Sequence, residues 1–222
     1  MNHSYVDLVA HLTARLQQPL PGPPAHARLS PRPPRGNPFA REVPADARQA
    51  AALILLYPGA QDGSTHSASL PLTVRRADLP DHAGQISLPG GRIDAGETAR
   101  SAALREAEEE IGVDPSTVEI LGSLTPLYVL VSRFVITPFI GVTTARPDFR
   151  PAAREVAELL EVPVPRLLDR SHLHWGHRTR EGYLIDFPYF DLDGHQVWGA
   201  TAMVLSEFLA LIDDHFGPTP LG

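Results

Sequence analysis

The stretch Gly90-Gly91-Arg92-Ile93-Asp94-Ala95-Gly96-Glu97, running on to Arg105-Glu106-Ala107-Glu108-Glu109-Glu110-Ile111-Gly112-Val113, decides how this chain is read. It predicts a short helix over about 97–111 whose last turns carry Glu106, Glu109 and Glu110. That is the end where the helix macrodipole disfavours negative charge, by roughly 0.3–1 kcal/mol per acid, and like charges four residues apart add to the cost. Local rules broken so densely point to a compensating function, and a divalent cation is the compensation that suits acids. At about 100° per residue the three acids fall on one helix face. Ala99, Ala102 and Ala103 continue the same stripe, so little bulk is expected between it and an approaching loop. Leu104, Ala107 and Ile111 form another face suited to packing on a sheet, and Glu108 points away to solvent. Gly90, Gly91 and Gly96 permit a tight entry loop, and Gly112 can close the helix in the left-handed conformation. Hard oxygen ligands in this arrangement suit Mg²⁺ or Mn²⁺, completed by waters and phosphate oxygens.

Composition narrows the classes. The chain has 222 residues, 43% hydrophobic and 20% charged, which suits one soluble globular domain with elaborations. A net charge of -7 argues against non-specific binding to nucleic acid. Cysteine is absent, which excludes disulfides, thiolate zinc sites and cysteine nucleophiles. All 19 basic residues are Arg. Schiff-base chemistry and a P-loop lysine are therefore excluded, and phosphate recognition falls to guanidinium forks. No signal peptide and no apolar run long enough to span a bilayer is seen, and the last residues lack a peroxisomal address, so a cytoplasmic location is the expectation.

Along the chain, Tyr5, Leu8, Val9, Leu12 and Leu16 recur at helical spacing behind Ser4, predicting an amphipathic helix over 4–18. The Pro-rich stretch Pro19–Pro44 is expected to wrap the domain as extended chain, neither regular helix nor central strand. Strands are predicted at 49–57, 70–76, near 85–88, 118–124, 133–142 and 156–162, then a short helix at 164–169. A hairpin is expected over 182–190 and 195–198, turning through Asp191-Leu192-Asp193-Gly194, before a helix over 199–214. The domain boundaries are an N-terminal helix and extension over 1–47, a catalytic domain over 48–214 and a tail over 215–222. Strands interleaved with helices give an α/β layered fold.

Residues 91–113 fit Gly-x5-Glu-x7-Arg-Glu-U-x-Glu-Glu-x-Gly-U, U being apolar, with Gly91, Glu97, Arg105, Glu106, Glu109, Glu110 and Gly112 at the fixed positions. This resembles the Nudix box. Seven such coincidences at about 6% each would arise by chance in roughly one chain in a million of this length. The resemblance implies an αβα sandwich with a mixed sheet between helices, and hydrolysis of a nucleoside diphosphate linked to another moiety. It also implies Mg²⁺ or Mn²⁺ held by Glu106, Glu109, Glu110 and the Gly90 carbonyl, with Glu97 and Arg105 pairing to orient loop and helix.

The flank is similar to the motif of the coenzyme A pyrophosphatase subfamily. Leu72, Thr73, Arg75, Gly84, Pro89, Gly90 and Gly91 match it, while Pro71, Arg76, Pro80 and Leu88 depart. Ile136–Gly141, Glu155–Glu158 with Val162–Val164, and Val197–Ala202 look like the same subfamily. This resemblance implies cleavage of coenzyme A, and of acyl or oxidised forms, to 3′,5′-ADP and 4′-phosphopantetheine. Arg75 and Arg76 are then the expected phosphate clamp, Pro80 having replaced a further Arg, and His82 and Gln85 are candidates to line the site. The general base stays open among Glu109, Glu155 and Glu158, with Glu155 favoured as base or outside ligand. The partner is a small nucleotide, with no nucleic acid and no membrane.

Other readings stand beside this one. ADP-ribose, dinucleotides or dNTPs are alternative substrates. A nucleotide sensor without catalysis would have eroded carboxylates, and an isomerase of prenyl diphosphates would want a cysteine. His172-x-His174-x2-His177 is expected to be a polar surface loop rather than a zinc site, and Trp198 to pack in the core rather than stack on adenine.

Overall fold

The computed structural model describes residues 4–32, 43–59, 67–78, 84–180 and 182–216. In chain order, α1 (Tyr5–Arg15) and α2 (Pro23–Arg28) precede β1 (Arg48–Pro58), β2 (Ala68–Arg75), β3 (Ile86–Ser87) and β4 (Gly90–Arg92). Then come α3 (Ala99–Ile111), β5 (Glu119–Ser123), β6 (Leu127–Val129), β7 (Phe134–Val142), β8 (Val156–Pro163) and α4 (Val164–Leu168). The chain closes with β9 (Leu173–Arg180), β10 (Tyr183–Leu192), β11 (His195–Val197) and α5 (Gly199–Ala210).

β1 is the spine. Its apolar run is continuous because both faces are covered. Ala51, Leu53 and Leu55 face α3 and pack with Ala102, Ala103, Ala107 and Ile111. Ala52, Ile54 and Leu56 face the opposite core, which α5 fills with Val204, Leu205, Phe208 and Leu209. β7 runs parallel to β1 in register from Arg48↔Phe134 to Leu56↔Val142. Along its other edge β1 changes partner. Its start pairs with β4 at Ala51↔Gly91, and its end pairs with β2 at Tyr57↔Ser69. β2 also pairs with β3 and β8, and β7 carries β5 and β6. The result is a mixed sheet between helices, with β9, β10 and β11 forming a separate three-stranded sheet.

The expected elements are present within a few residues at each end, with four differences. A short helix, α2, interrupts the Pro-rich segment expected to be extended, because its prolines fall at the first helical positions, where no amide hydrogen bond is lost. The His172–His177 stretch expected to be a surface loop is largely strand β9, paired to β10 at Asp186↔His177 and Tyr189↔His174. Strands β4 and β6 are additional to the expected set; each has three residues, too few for a period to register. Finally, Ala102 and Ala103 do not leave room for a loop. They lie buried against β1, and their small size lets α3 approach the sheet.

The N-terminal segment is part of the main core. Leu8, Leu12 and Leu29 are buried in it, and so is Phe216 near the other end. A buried carboxylate joins these parts. Glu207 of α5 is inaccessible to solvent and accepts hydrogen bonds from Gly22 N at 2.9 Å, His26 Nε2 at 2.8 Å, Thr125 N at 3.1 Å and Thr125 Oγ1 at 2.6 Å. Burial alone would raise its pKa, but the His26, Thr125 and Gly22 hydrogen bonds outweigh it and hold the group below its ordinary value.

An acid depressed on folding adds stability above its unfolded pKa, and that stability is lost as pH falls through the folded value. Glu207→Gln is therefore expected to lower unfolding free energy at neutral pH by about 1–3 kcal/mol. The difference from the parent protein should shrink as pH falls below the ordinary glutamate range of about 4. Urea titrations across pH measure it, and a gap that persists unchanged at acid pH would contradict the assigned role of the ionised carboxylate.

Candidate active site

The box helix is defined at both ends by local chemistry. Thr98 caps the start of α3, its hydroxyl accepting from Ser101 N at 3.1 Å while Ser101 Oγ accepts from Thr98 N at 3.0 Å. Gly112 closes the helix at φ +73°, its amide donating to Glu108 O at 2.9 Å. The loop after β7 completes the closure, with Arg150 N donating to Ile111 O and Ala152 N to Glu110 O, both at 2.8 Å. These loop amides satisfy helix carbonyls that would otherwise be orphaned, and they bring the chain that carries Glu155 to the acidic helix end. Neither the Thr98–Ser101 cap nor this loop is among the expected features, although Thr98-x-x-Ser101 carries a readable signal for the first.

Gly90 and Gly91 are required for close approach. A Cβ on Gly90 would stand 2.4 Å from Ala51 O, and one on Gly91 2.3 Å from a Glu106 carboxylate oxygen. Gly90 N donates to Glu110 Oε2 at 3.2 Å. The double glycine thus separates β1 from the two innermost carboxylates by backbone thickness alone.

Arg105 organises the rim. Its Nε and Nη2 reach Glu97 at 3.0 and 3.1 Å, Nη1 reaches Glu106 at 2.9 Å and Glu109 at 3.3 Å, and Nη2 also donates to Arg92 O at 3.0 Å. Glu97 in turn accepts from Asp94 N at 3.1 Å, so one guanidinium ties the entry loop to the helix. The Arg105 hydrogen bonds hold the Glu97 carboxyl below its usual range. Glu110 is 6% exposed, and its pKa is pushed up to about 7. Burial is the largest cause, with the Glu106 and Glu155 charges adding to it against the Gly90 amide and Arg75. Burial likewise raises Glu106, opposed by Arg105 and reinforced by Glu109 and Glu155. Glu109 is more open, its side chain 47% exposed.

At the end of α3, Glu106 therefore feels Glu109, Glu155 and Arg105, and Glu110 feels Glu106, Glu155 and Arg75. Glu155 acts on Glu106 and Glu110 and pairs with Arg154 at 3.0 Å. Glu158 does not join them. It stands opposite Val74 in the β2–β8 pairing, on the face that packs toward α5, and its carboxylate lies 3.5 Å from His195. Arg75 sits at an irregularity in β2; its amide donates to Gln85 O at 2.9 Å, and its carbonyl accepts from Gly84 N at 3.1 Å. Its guanidinium charge lowers the Glu110 pKa. Arg76 differs from the clamp expected of it, since its fork is taken by Asp78 at 2.8 and 2.7 Å and by Ala153 O at 3.0 Å. Gln85 is exposed at the turn. His82, with Pro80, lies outside the described residues.

Among the described residues, no three imidazole or carboxylate groups already enclose a cation position. Arg105 draws Glu106 and Glu109 toward itself. The donor set nonetheless fits a hard divalent ion. The ligand atoms are carboxylate oxygens, the Gly91 gap leaves Glu106 space, and the partly buried Glu106 acts on the buried Glu110 as a like charge that a divalent ion would offset. The three His of the His172–His177 stretch do not form such a site. His177 hydrogen-bonds Asp186, and the His174 ring packs on Tyr189.

Residues 47–179 match the NUDIX domain family, and the chain belongs to that family. It is 37% identical over 174 residues to a protein of Pectobacterium atrosepticum described as an uncharacterized Nudix hydrolase NudL, covering 75% of this chain and 84% of that one. The NudL protein of Escherichia coli K12 is 34% identical over 163 residues, covering 72% and 80%. Among solved structures, a Nudix hydrolase from M. smegmatis, RenU, superposes with a TM-score of 0.51 at 19% identity over 79% of this chain and 91% of that one; at this identity the likeness is one of fold. Nudix hydrolases generally use divalent metals such as Mg²⁺ or Mn²⁺. Among the described residues, no helix is long and apolar enough to cross a membrane.

Gly91→Ala tests the cradle directly, because the added methyl would meet the Glu106 carboxylate at close range. Mn²⁺ affinity measured by calorimetry should fall by roughly tenfold or more with the melting temperature little changed. Undiminished affinity would separate Glu106 from the metal.

Proposed function

We propose that the chain hydrolyses the pyrophosphate bond of coenzyme A, and of acylated or oxidised derivatives, to 3′,5′-ADP and 4′-phosphopantetheine. The observation that carries this is the segment Leu72–Gly91, which resembles the coenzyme A pyrophosphatase motif and whose Arg75 acts electrostatically on the buried Glu110. Family membership supports the chemistry, and the motif supports the substrate.

In this proposal Glu106, Glu109, Glu110 and the Gly90 carbonyl hold Mg²⁺ or Mn²⁺. The metal supplies charge neutralisation for the diphosphate and a more acidic water. The chain's own groups do the rest. Arg105 and Glu97 tie the loop to the helix, so the backbone that carries the carboxylates keeps its place. Arg75 directs its guanidinium at the diphosphate oxygens, a bidentate fit that Lys could not supply. Glu155 receives the proton as water oxygen bonds to one phosphorus, while the bond from that phosphorus to the bridging oxygen breaks. The bridging oxygen leaves on the other phosphate, which keeps the added charge. Glu158 is assigned to its contact with His195, away from this proton.

The test combines a substrate panel with carboxylate variants. Coenzyme A should be consumed faster than ADP-ribose, NADH or dNTPs, with both products identified by mass. Glu155→Gln should lower kcat by roughly 10²–10⁴, whereas Glu158→Gln should stay near the parent value. Coenzyme A left intact while ADP-ribose disappears would overturn the substrate assignment. A fully active Glu155→Gln protein would overturn the base.

A further inference from the structure

The small β9–β11 sheet has two different faces. One face is core, where Phe190 and Val197 are fully buried. Residues alternate along a strand, so Phe187 and Tyr189 of β10 project from the other face, with Gly176, His174 and Arg178 beside them on β9. Trp198 follows Val197 in extended conformation and joins the same face. The rings form a contiguous row. His174 to Tyr189 is 5.8 Å between centroids, Tyr189 to Phe187 is 6.0 Å and Phe187 to Trp198 is 5.0 Å. Gly176 makes this possible, since a Cβ there would stand 2.7 Å from the Phe187 ring.

Arg178 ends the row, its guanidinium 4.8 Å from the centre of the Trp198 ring. Among the described residues no carboxylate pairs with it, on a chain whose net charge is -7. A planar cation lying on an indole offers two things to an incoming ligand. The ring can accept another flat group in its place, and the released guanidinium can pair with an anion.

The platform is joined to the diphosphate site by a short path. Trp198 precedes α5, and Thr201 of its first turn donates to Ile86 O at 3.0 Å. Ile86 adjoins Gln85, whose carbonyl accepts from Arg75 N at 2.9 Å. On β8, Glu158 meets His195 of β11.

We propose that this outer face is the subsite for the nucleoside end of the substrate. A purine stacks on Trp198, and Arg178, displaced from the ring, pairs with a phosphate on the ribose. The identity of that phosphate rests on the coenzyme A reading, in which it is the 3′-phosphate.

Binding of 3′,5′-ADP and of 5′-AMP to the whole protein, without turnover, tests the subsite by calorimetry and tryptophan fluorescence. Trp198→Phe should abolish the fluorescence response to 3′,5′-ADP, and Trp175→Phe should keep it. Arg178→Ala should weaken 3′,5′-ADP roughly 10- to 100-fold while leaving 5′-AMP little changed, and should raise KM for coenzyme A with kcat retained. Equal losses for the two nucleotides, no loss for either, or a response that survives in Trp198→Phe would overturn the proposal. If coenzyme A is not cleaved yet 3′,5′-ADP still binds through Arg178, the subsite stands and the substrate assignment falls. If coenzyme A is cleaved and binding is indifferent to both variants, the substrate assignment stands and the subsite falls.

Discussion

The geometry of the acidic site depends on two glycines. Gly90 and Gly91 lie between β1 and the acidic end of α3, where a Cβ on Gly90 would meet the β1 backbone and one on Gly91 the Glu106 carboxylate. The buried alanines of α3 bring the helix close to the sheet along its length. Nearness has an electrostatic consequence. It takes Glu110 and most of the Glu106 side chain out of water, where negative charges are held only if something positive or hydrogen-bonding meets them. The Gly90 amide and Arg105 meet them in part, and a divalent cation is the natural remainder.

The surroundings hold that geometry rather than create it. Arg105 binds the entry loop to the helix, and the Arg150 and Ala152 amides close the far end, which is why Glu155 arrives beside Glu106 and Glu110. On the other side of the sheet Glu207 anchors α5 to Gly22, His26 and Thr125, so the N-terminal segment and the C-terminal helix brace the same core. Thr201 in the first turn of α5 then bonds to β3, next to the turn that carries Gln85. The first turn of α5 and the segment that carries Arg75 are therefore connected through β3.

Much of this was legible in residue order. The acid spacing, the glycines and the flanking Leu72–Gly91 segment identify the helix, its ends and the family, because these signals are local: a period, a cap and a turn. The apolar β1 run was legible as a strand, expected at 49–57. Other features were not legible because no local signal carries them. The polar strand β9 is held by its pairing to β10, and the three-residue β4 is held by its neighbour β1. The α2 helix depends on prolines falling at its first turn and on the buried partner His26 finds in Glu207.

The sequence by itself determined the family, the box helix and the set of acids and arginines from which a site could be made. Only the tertiary structure decided which of them meet. Glu155 and Glu158 are three residues apart in an equally acidic segment, yet one faces the α3 acids and the other pairs with His195 across the sheet. Arg75 and Arg76 are adjacent, yet one acts on Glu110 while the other is held by Asp78. A side chain's direction depends on strand alternation and on the loops packed beside it, and these are settled by contacts between residues far apart in the chain.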